Sequence, residues 1–320
     1  MFAWRQSLKK GLQSGLATTW DLGKIIFPIT LLVTVLAHTR VIDWLVYLIT
    51  PLMGIFGLPG EAAIPLVLGN LLNVYAGIGA ILSLEFTVKE VFILAVMLSF
   101  SHNLLIESGV VMKAGVRIWV MLAVRLGLAS VSAILINLIW NGGGEIAQYG
   151  LIATDSVPPV GWGAILLDGL LKATNGVLQL AIIVIPLMIV IQIIKDLNWL
   201  RTFSRWMAPV TRILGMKENT SLALMSGLAF GLAFGSGVLL QAIKEDGVSK
   251  KDATIVFIFL VACHAVVEDT LIFVPLGIPV LPLFLIRFTS DFLLTMIIGS
   301  HGNIWSRLAK EKREELIYEG

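Results

Sequence analysis

Ser101 to Gly109 reads SHNLLIESG, and it continues the apolar run VFILAVMLSF that begins at Val91. A histidine, an asparagine and a glutamate placed there need a reason. An ionisable side chain at the centre of a membrane helix costs about 2.5–3.5 kcal/mol on insertion scales. The chain incurs that cost twice. Cys263 to Leu271 reads CHAVVEDTL after a second apolar run, so His102, Glu107 and Ser108 find counterparts in His264, Asp269 and Thr270.

The solvent in question is lipid. Of 320 residues, 57% are hydrophobic and 14% charged, with a mean hydropathy of +0.92; that composition belongs to an all-α polytopic membrane protein. Too little chain lies outside the apolar segments to fold as a separate soluble catalytic domain. The formal net charge of +2 comes from Lys and Arg beside apolar runs, which reports orientation in a bilayer and implies no nucleic-acid partner. Cys263 is the only cysteine, which excludes an internal disulfide and a cysteine zinc cage.

The polar stretches belong to a duplication. Pro28, Pro51, Gly57, Gly69 and Gly77 recur at an offset of 158 as Pro186, Pro209, Gly215, Gly227 and Gly235. After a short insertion near residues 243–250 the offset becomes 162, pairing Gly115 and Arg125 with Gly277 and Arg287 as well as the two histidines. The chain therefore divides into an amphipathic N-terminal helix (1–22), a first repeat (23–140), a Gly/Pro-rich linker (141–169), a second repeat (170–300) and a charged C-terminal helix (301–320). Each repeat reads as a span, an interfacial helix, a Gly-rich segment and two further spans. If the Gly-rich segments are re-entrant hairpins, six spans remain and the second repeat is inverted. That arrangement keeps Lys195, Arg201, Arg205, Arg212 and Lys217 on the same side as both termini, as the positive-inside rule requires. The expectation is a multi-pass protein of a bacterial inner membrane with both termini cytoplasmic. Trp44, Trp199 and Trp206 suit interfacial helices at headgroup depth.

Inverted repeats bring equivalent residues close to a pseudo-two-fold axis near the bilayer midplane, where transporters place their solute. His and acid are five residues apart in each copy, about 140° around an α-helix, so they share a face only if the helix breaks. A broken helix is tolerable in a membrane where its freed backbone lines a cavity or binds something. The candidate solute-binding set is His102, Asn103, Glu107, Ser108, His264, Glu268, Asp269 and Thr270, with Asn70 and Asn73 at the first hairpin as asymmetric contacts. Two imidazoles and two carboxylates, His102, Glu107, His264 and Asp269, also form a sensible ligand set for a divalent metal. Gly69, Gly77, Gly227, Gly231 and Gly235 read as close-packing residues. Arg125 and Arg287 fall mid-span and are expected to pair with Asp291 or with the carboxylates of the broken helices.

The segments GLPGEAAIPLVLGN and GMKENTSLALMSGLAFG, each followed by a Gly-rich run and a polar broken span, resemble the repeated unit of the nucleoside-recognition, or Gate, family. The resemblance implies a transport core similar to those of concentrative nucleoside transporters and the ferrous-iron permease, and related spore-maturation membrane proteins. The expected function is a secondary-type transporter of a small polar solute or cation, nucleoside-like or a divalent metal. No cofactor is required beyond a coupling H⁺ or Na⁺; the partners are lipid, the substrate and, compatibly, further copies of the chain. A passive divalent-metal channel and a non-transport structural or partner-docking subunit stay open as alternatives. An enzyme is not expected, because no HExxH, GxSxG or obvious nucleophile is present.

Overall fold

A computed structural model describes residues 4–37, 39, 50–149, 161–197, 199–245 and 247–300. These are helical throughout; among them no strand forms, and Thr87 and Ile146 make only an isolated bridge. Among the described residues six helices are long and apolar enough to cross a membrane. Residues 40–49, with Trp44, and the C-terminal segment 301–320 lie outside the described residues.

The first helix, α1 (Trp4–Ala37), pairs with its counterpart α7 (Trp162–Asp196) in the most extensive helix contact of the fold. They run antiparallel: Gly11 lies against Ile189, Gly15 against Ile185 and Gly169 against Leu31. A Cβ on Gly11 would sit 2.6 Å from the Ile189 Cα, so glycine is what lets the two backbones meet. Ser7 donates a hydrogen bond to Asp196 at 2.6 Å, closing that end of the pair. Residues 4–22 are thus part of the first span's helix, with no break at the expected boundary at 22/23. The amphipathic period of an interfacial helix and that of a packed span are the same 3.6 residues, and no helix breaker separates the two segments. Likewise α7 starts at Trp162, inside the segment expected as linker.

Next come α2 (Ala63–Leu71) and α3 (Val74–Ile81), which break at Leu72 and Asn73 and fold back so that Gly69 and Gly77 touch. At nine and eight residues neither could span a bilayer. The corresponding helix α9 (Ser221–Glu245) is interrupted at Gly231, whose φ of 72° and ψ of 176° lie outside the helical region. Gly231 is the offset partner of Asn73, so both copies break at the same register. Before it lies the amphipathic α8 (Trp199–Ile213), in which Trp206 is exposed.

The remaining spans are α4 (Val88–Ser101) with α5 (Leu104–Lys113), α6 (Ile118–Ile139), α10 (Lys250–Cys263) with the short α11 (Glu268–Leu271), and α12 (Val280–Ser300). The two broken spans are central. In each, 72% of the most apolar window is buried, against 22–28% for the other four. Apolar side chains such as Val91, Ile93, Leu94 and Phe100 fill one core around α4, and Val256, Phe257, Phe259 and Leu260 fill a second around α10.

Candidate functional site

Both central spans break at their histidine, by the same construction. A capping box of Thr87 and Glu90 starts α4, and Ser249 caps α10 through the Asp252 N–H. At the other end the His102 ring Nδ1 lies 2.7 Å from the Leu98 carbonyl, and His264 Nδ1 lies 2.7 Å from that of Leu260. The next residue in each copy enters the left-handed region, Asn103 at φ 57° and Ala265 at φ 41°. Its N–H then donates to a hairpin glycine carbonyl, Asn103 to Gly69 at 2.8 Å and Ala265 to Gly227 at 3.2 Å. An added Cβ on Gly69 or Gly227 would lie 2.4 or 2.3 Å from the Leu98 or Leu260 side chain. The glycines are therefore packing residues that let the hairpin backbone reach the break.

Two arginines satisfy the carbonyls that the breaks release. Arg125 Nε donates to the Phe100 carbonyl at 2.8 Å, Nη2 to that of His102, and Nη1 to Glu107 Oε2 at 2.6 Å. Arg287 repeats this with the carbonyls of Ala262 and His264, both at 2.9 Å, and with Asp269 Oδ2 at 2.9 Å. Of the two sets of partners expected for the arginines, these are the carboxylates of the broken helices. Guanidinium geometry suits this threefold task, since its planar fork serves a carboxylate and two carbonyls at once.

The two breaks meet. The rings of His102 and His264 lie 5.3 Å apart at an angle of 52°. His264 Nε2 is 3.2 Å from Glu107 Oε1 and 3.5 Å from Asp269 Oδ2. His102 Nε2 is 3.7 Å from Glu107 Oε1 and 3.9 Å from Asp269 Oδ2. All four residues are buried, at 3%, 3%, 1% and 6% exposure for His102, His264, Glu107 and Asp269. Each histidine thus faces the carboxylate of its own copy and that of the other, with donor atoms of His102, His264 and Asp269 mutually within 4.8 Å.

The other candidates divide. Asn103 donates to Glu107 Oε1 at 3.3 Å and so borders the cluster. Glu268 lies beside it and accepts from Tyr75 at 3.0 Å. Thr270 is turned back onto its own helix, donating to the Val266 carbonyl at 2.6 Å, and Ser108 is half-buried on α5. Asn73 caps α3, its Oδ1 accepting from the Ala76 N–H at 3.0 Å. Asn70 keeps a buried Oδ1 without a partner among the described residues. Tyr75, which meets the cluster's edge through Glu268, is a neighbour that sequence reasoning missed. Nothing in its Gly-rich surroundings marks it, and its partner is 193 residues away. Asp291 is fully buried and its Oδ2 has no partner among the described residues. A large, almost wholly apolar cavity lies elsewhere, between α6 and α12, lined by Ile136, Ile139, Pro282 and Ile286.

The family model described as nucleoside recognition (Gate) matches residues 19–118 and 177–281. The two matched segments begin 158 residues apart, the offset that relates the first halves of the repeats. The chain is also 64% identical over 302 residues, 94% of its length and 97% of the relative's, to a protein of Bacillus subtilis (strain 168) described as the uncharacterized membrane protein YvoD. No solved structure matches. On the strength of these two matches the chain belongs to the nucleoside-recognition (Gate) family of membrane proteins.

Proposed function

We propose that this protein is a secondary-type membrane transporter of a small polar solute or cation, which binds at the bilayer midplane between two inverted repeats. One observation carries the reading: imidazoles from the two halves meet 5.3 Å apart, each facing carboxylates of both copies. A merely structural ion pair would need neither histidine, because Arg125 and Arg287 already neutralise Glu107 and Asp269. Inversion is supported by the antiparallel packing of the equivalent helices α1 and α7. The odd number of candidate spans among the described residues, three in each copy, supports it as well.

His102, Glu107, His264 and Asp269 form the centre of the proposed site, with Asn103, Glu268 and Tyr75 at its edge. The two hairpins rest on the breaks through the Gly69 and Gly227 carbonyls, so a rocking hairpin would open or close the cluster from one side. The protein would reside in the inner membrane with both termini cytoplasmic.

The test is uptake into proteoliposomes, guided by thermal stabilisation of the purified protein with nucleosides, nucleobases and divalent cations. The expected result is a stabilising ligand whose uptake is lost in His102→Gln and His264→Gln while the fold is kept. The arginine pairs favour one rival, a subunit in which the cluster only holds the broken helices together. Loss of folding in both variants, with no ligand bound by the parent protein, would establish that rival.

A further inference from the structure

Resting on that reading, the geometry points to a divalent transition-metal cation as the species held at the centre, on His102 Nε2, His264 Nε2 and Asp269 Oδ2, with Glu107 Oε1 beside His264 Nε2 at 3.2 Å. The tautomers follow from the backbone. A carbonyl can only accept, so the 2.7 Å contacts to Leu98 and Leu260 place a proton on each Nδ1. With Nδ1 so occupied, a neutral ring presents its Nε2 lone pair to the centre, where a metal cation takes the place of the second proton of an imidazolium. A histidine anchored by one nitrogen on a carbonyl and presenting the other is the arrangement metal-binding imidazoles adopt.

Ionised carboxylate oxygens are also acceptors; Glu107 Oε1 takes the Asn103 amide at 3.3 Å and Asp269 Oδ2 the Arg287 guanidinium at 2.9 Å, which leaves each a further lone pair for a cation. Three of the four Nε2-to-oxygen separations, 3.5, 3.7 and 3.9 Å, are too long for a charge-assisted N–H···O bond of about 2.7–2.9 Å. The 3.5 Å between His264 Nε2 and Asp269 Oδ2 fits donors around a shared ion as it stands, and the 3.9 Å between His102 Nε2 and Asp269 Oδ2 asks for a few tenths of an ångström of closure. Metal–ligand bonds of about 2.0–2.2 Å set the donors of a tetrahedral site roughly 3.3–3.6 Å apart. A mixed imidazole and carboxylate set selects Zn²⁺, Mn²⁺ or Fe²⁺ over the all-oxygen coordination of Mg²⁺ and Ca²⁺.

Charge supplies an independent argument. Two guanidiniums, Arg125 and Arg287, stand against Glu107 and Asp269, and those four cancel. The second repeat adds Glu268 and the buried Asp291, whose offset counterparts in the first repeat are Ile106 and Ala129. A divalent cation at the centre would favour the ionised form of both Glu268 and Asp291 and balance the two charges they would then carry. A neutral organic solute offers these two carboxyls no such compensation in the membrane interior.

Isothermal titration of the full chain in detergent with ZnCl₂ and MnCl₂, with MgCl₂ as control, tests this. The expected result is one saturable Zn²⁺ or Mn²⁺ site, weakened at least about tenfold in His102→Gln and in His264→Gln. Asp291→Asn, which keeps the shape of the side chain, should weaken it as well through loss of charge. X-ray absorption at the zinc edge should show imidazole nitrogen in the first coordination sphere. No binding, or binding indifferent to both histidines, overturns the inference. Metal binding without flux in vesicles would leave the inference standing and overturn the transport reading. Nucleoside uptake with no metal site would overturn the inference alone.

Discussion

Replacing Arg125 by Met tests how the broken helices are held. The guanidinium is 2% exposed and serves three acceptors: Glu107 at 2.6 Å, the Phe100 carbonyl at 2.8 Å and the His102 carbonyl. At an effective dielectric near 20, unit charges about 4 Å apart attract by about 4 kcal/mol. Taking away one partner leaves the other buried and unpaired, at a cost of about 3–5 kcal/mol. Arg125→Met should therefore lower the free energy of unfolding by that amount. Adding Glu107→Gln removes the stranded charge and should restore about 1–3 kcal/mol, a range typical of coupling between contacting residues. Reversible unfolding in mixed micelles, followed by helicity across all four members of the cycle, measures both quantities. A single-mutant cost under about 1 kcal/mol, or strictly additive costs, would refute the claim that this pair carries the break.

Other consequences are smaller and separable. Gly299→Ala would put a Cβ 2.0 Å from the Leu214 carbonyl oxygen, a backbone atom that cannot swing aside, so a loss of about 3 kcal/mol or more is expected. Gly127→Ala, with nothing within 4 Å of its Cβ, should gain up to about 1 kcal/mol in the same assay. Thr87→Ala removes the capping box of α4 and should cost about 1 kcal/mol, seen as faster amide exchange in the first turn. Tyr75→Phe removes the donor to Glu268; about 1.5–3 kcal/mol should be lost, a change that Glu268→Gln should largely abolish in a double-mutant cycle.

Much of the site was readable because its residues stand in the wrong solvent and stand there twice. His102 and His264 lie on matching offsets, and the need for His and acid to share a face called for a break that Asn103 and Ala265 supply. The arginines followed from the same logic. What stayed hidden was contact between remote, unduplicated residues. Tyr75 and Glu268 pair across the two copies, yet their offset counterparts, Ala233 and Ile106, carry no trace of the interaction. Asp291 was seen as an arginine partner, although its value as a marker lies in its departure from Ala129. Asn73 has a structural role that its sequence context did not single out, because a lone amide in an apolar run can serve a solute or cap a helix, and here it caps α3. The uninterrupted α1 was missed because amphipathicity fixes which face of a helix is apolar but not whether that face meets lipid headgroups or another helix.

That uninterrupted helix also sets a length scale. At 1.5 Å per residue, the 34 residues of α1 make a rod of about 51 Å, against about 30 Å of hydrocarbon. Standing upright, such a rod would lift Arg5, Lys9 and Lys10 well clear of the lipid tails, and α7, zipped to it from Ser7–Asp196 to Leu31–Gly169, would keep it from folding flat. The antiparallel pair would then be a stiff mast beside the central breaks, anchored in the bilayer and reaching into the water beyond.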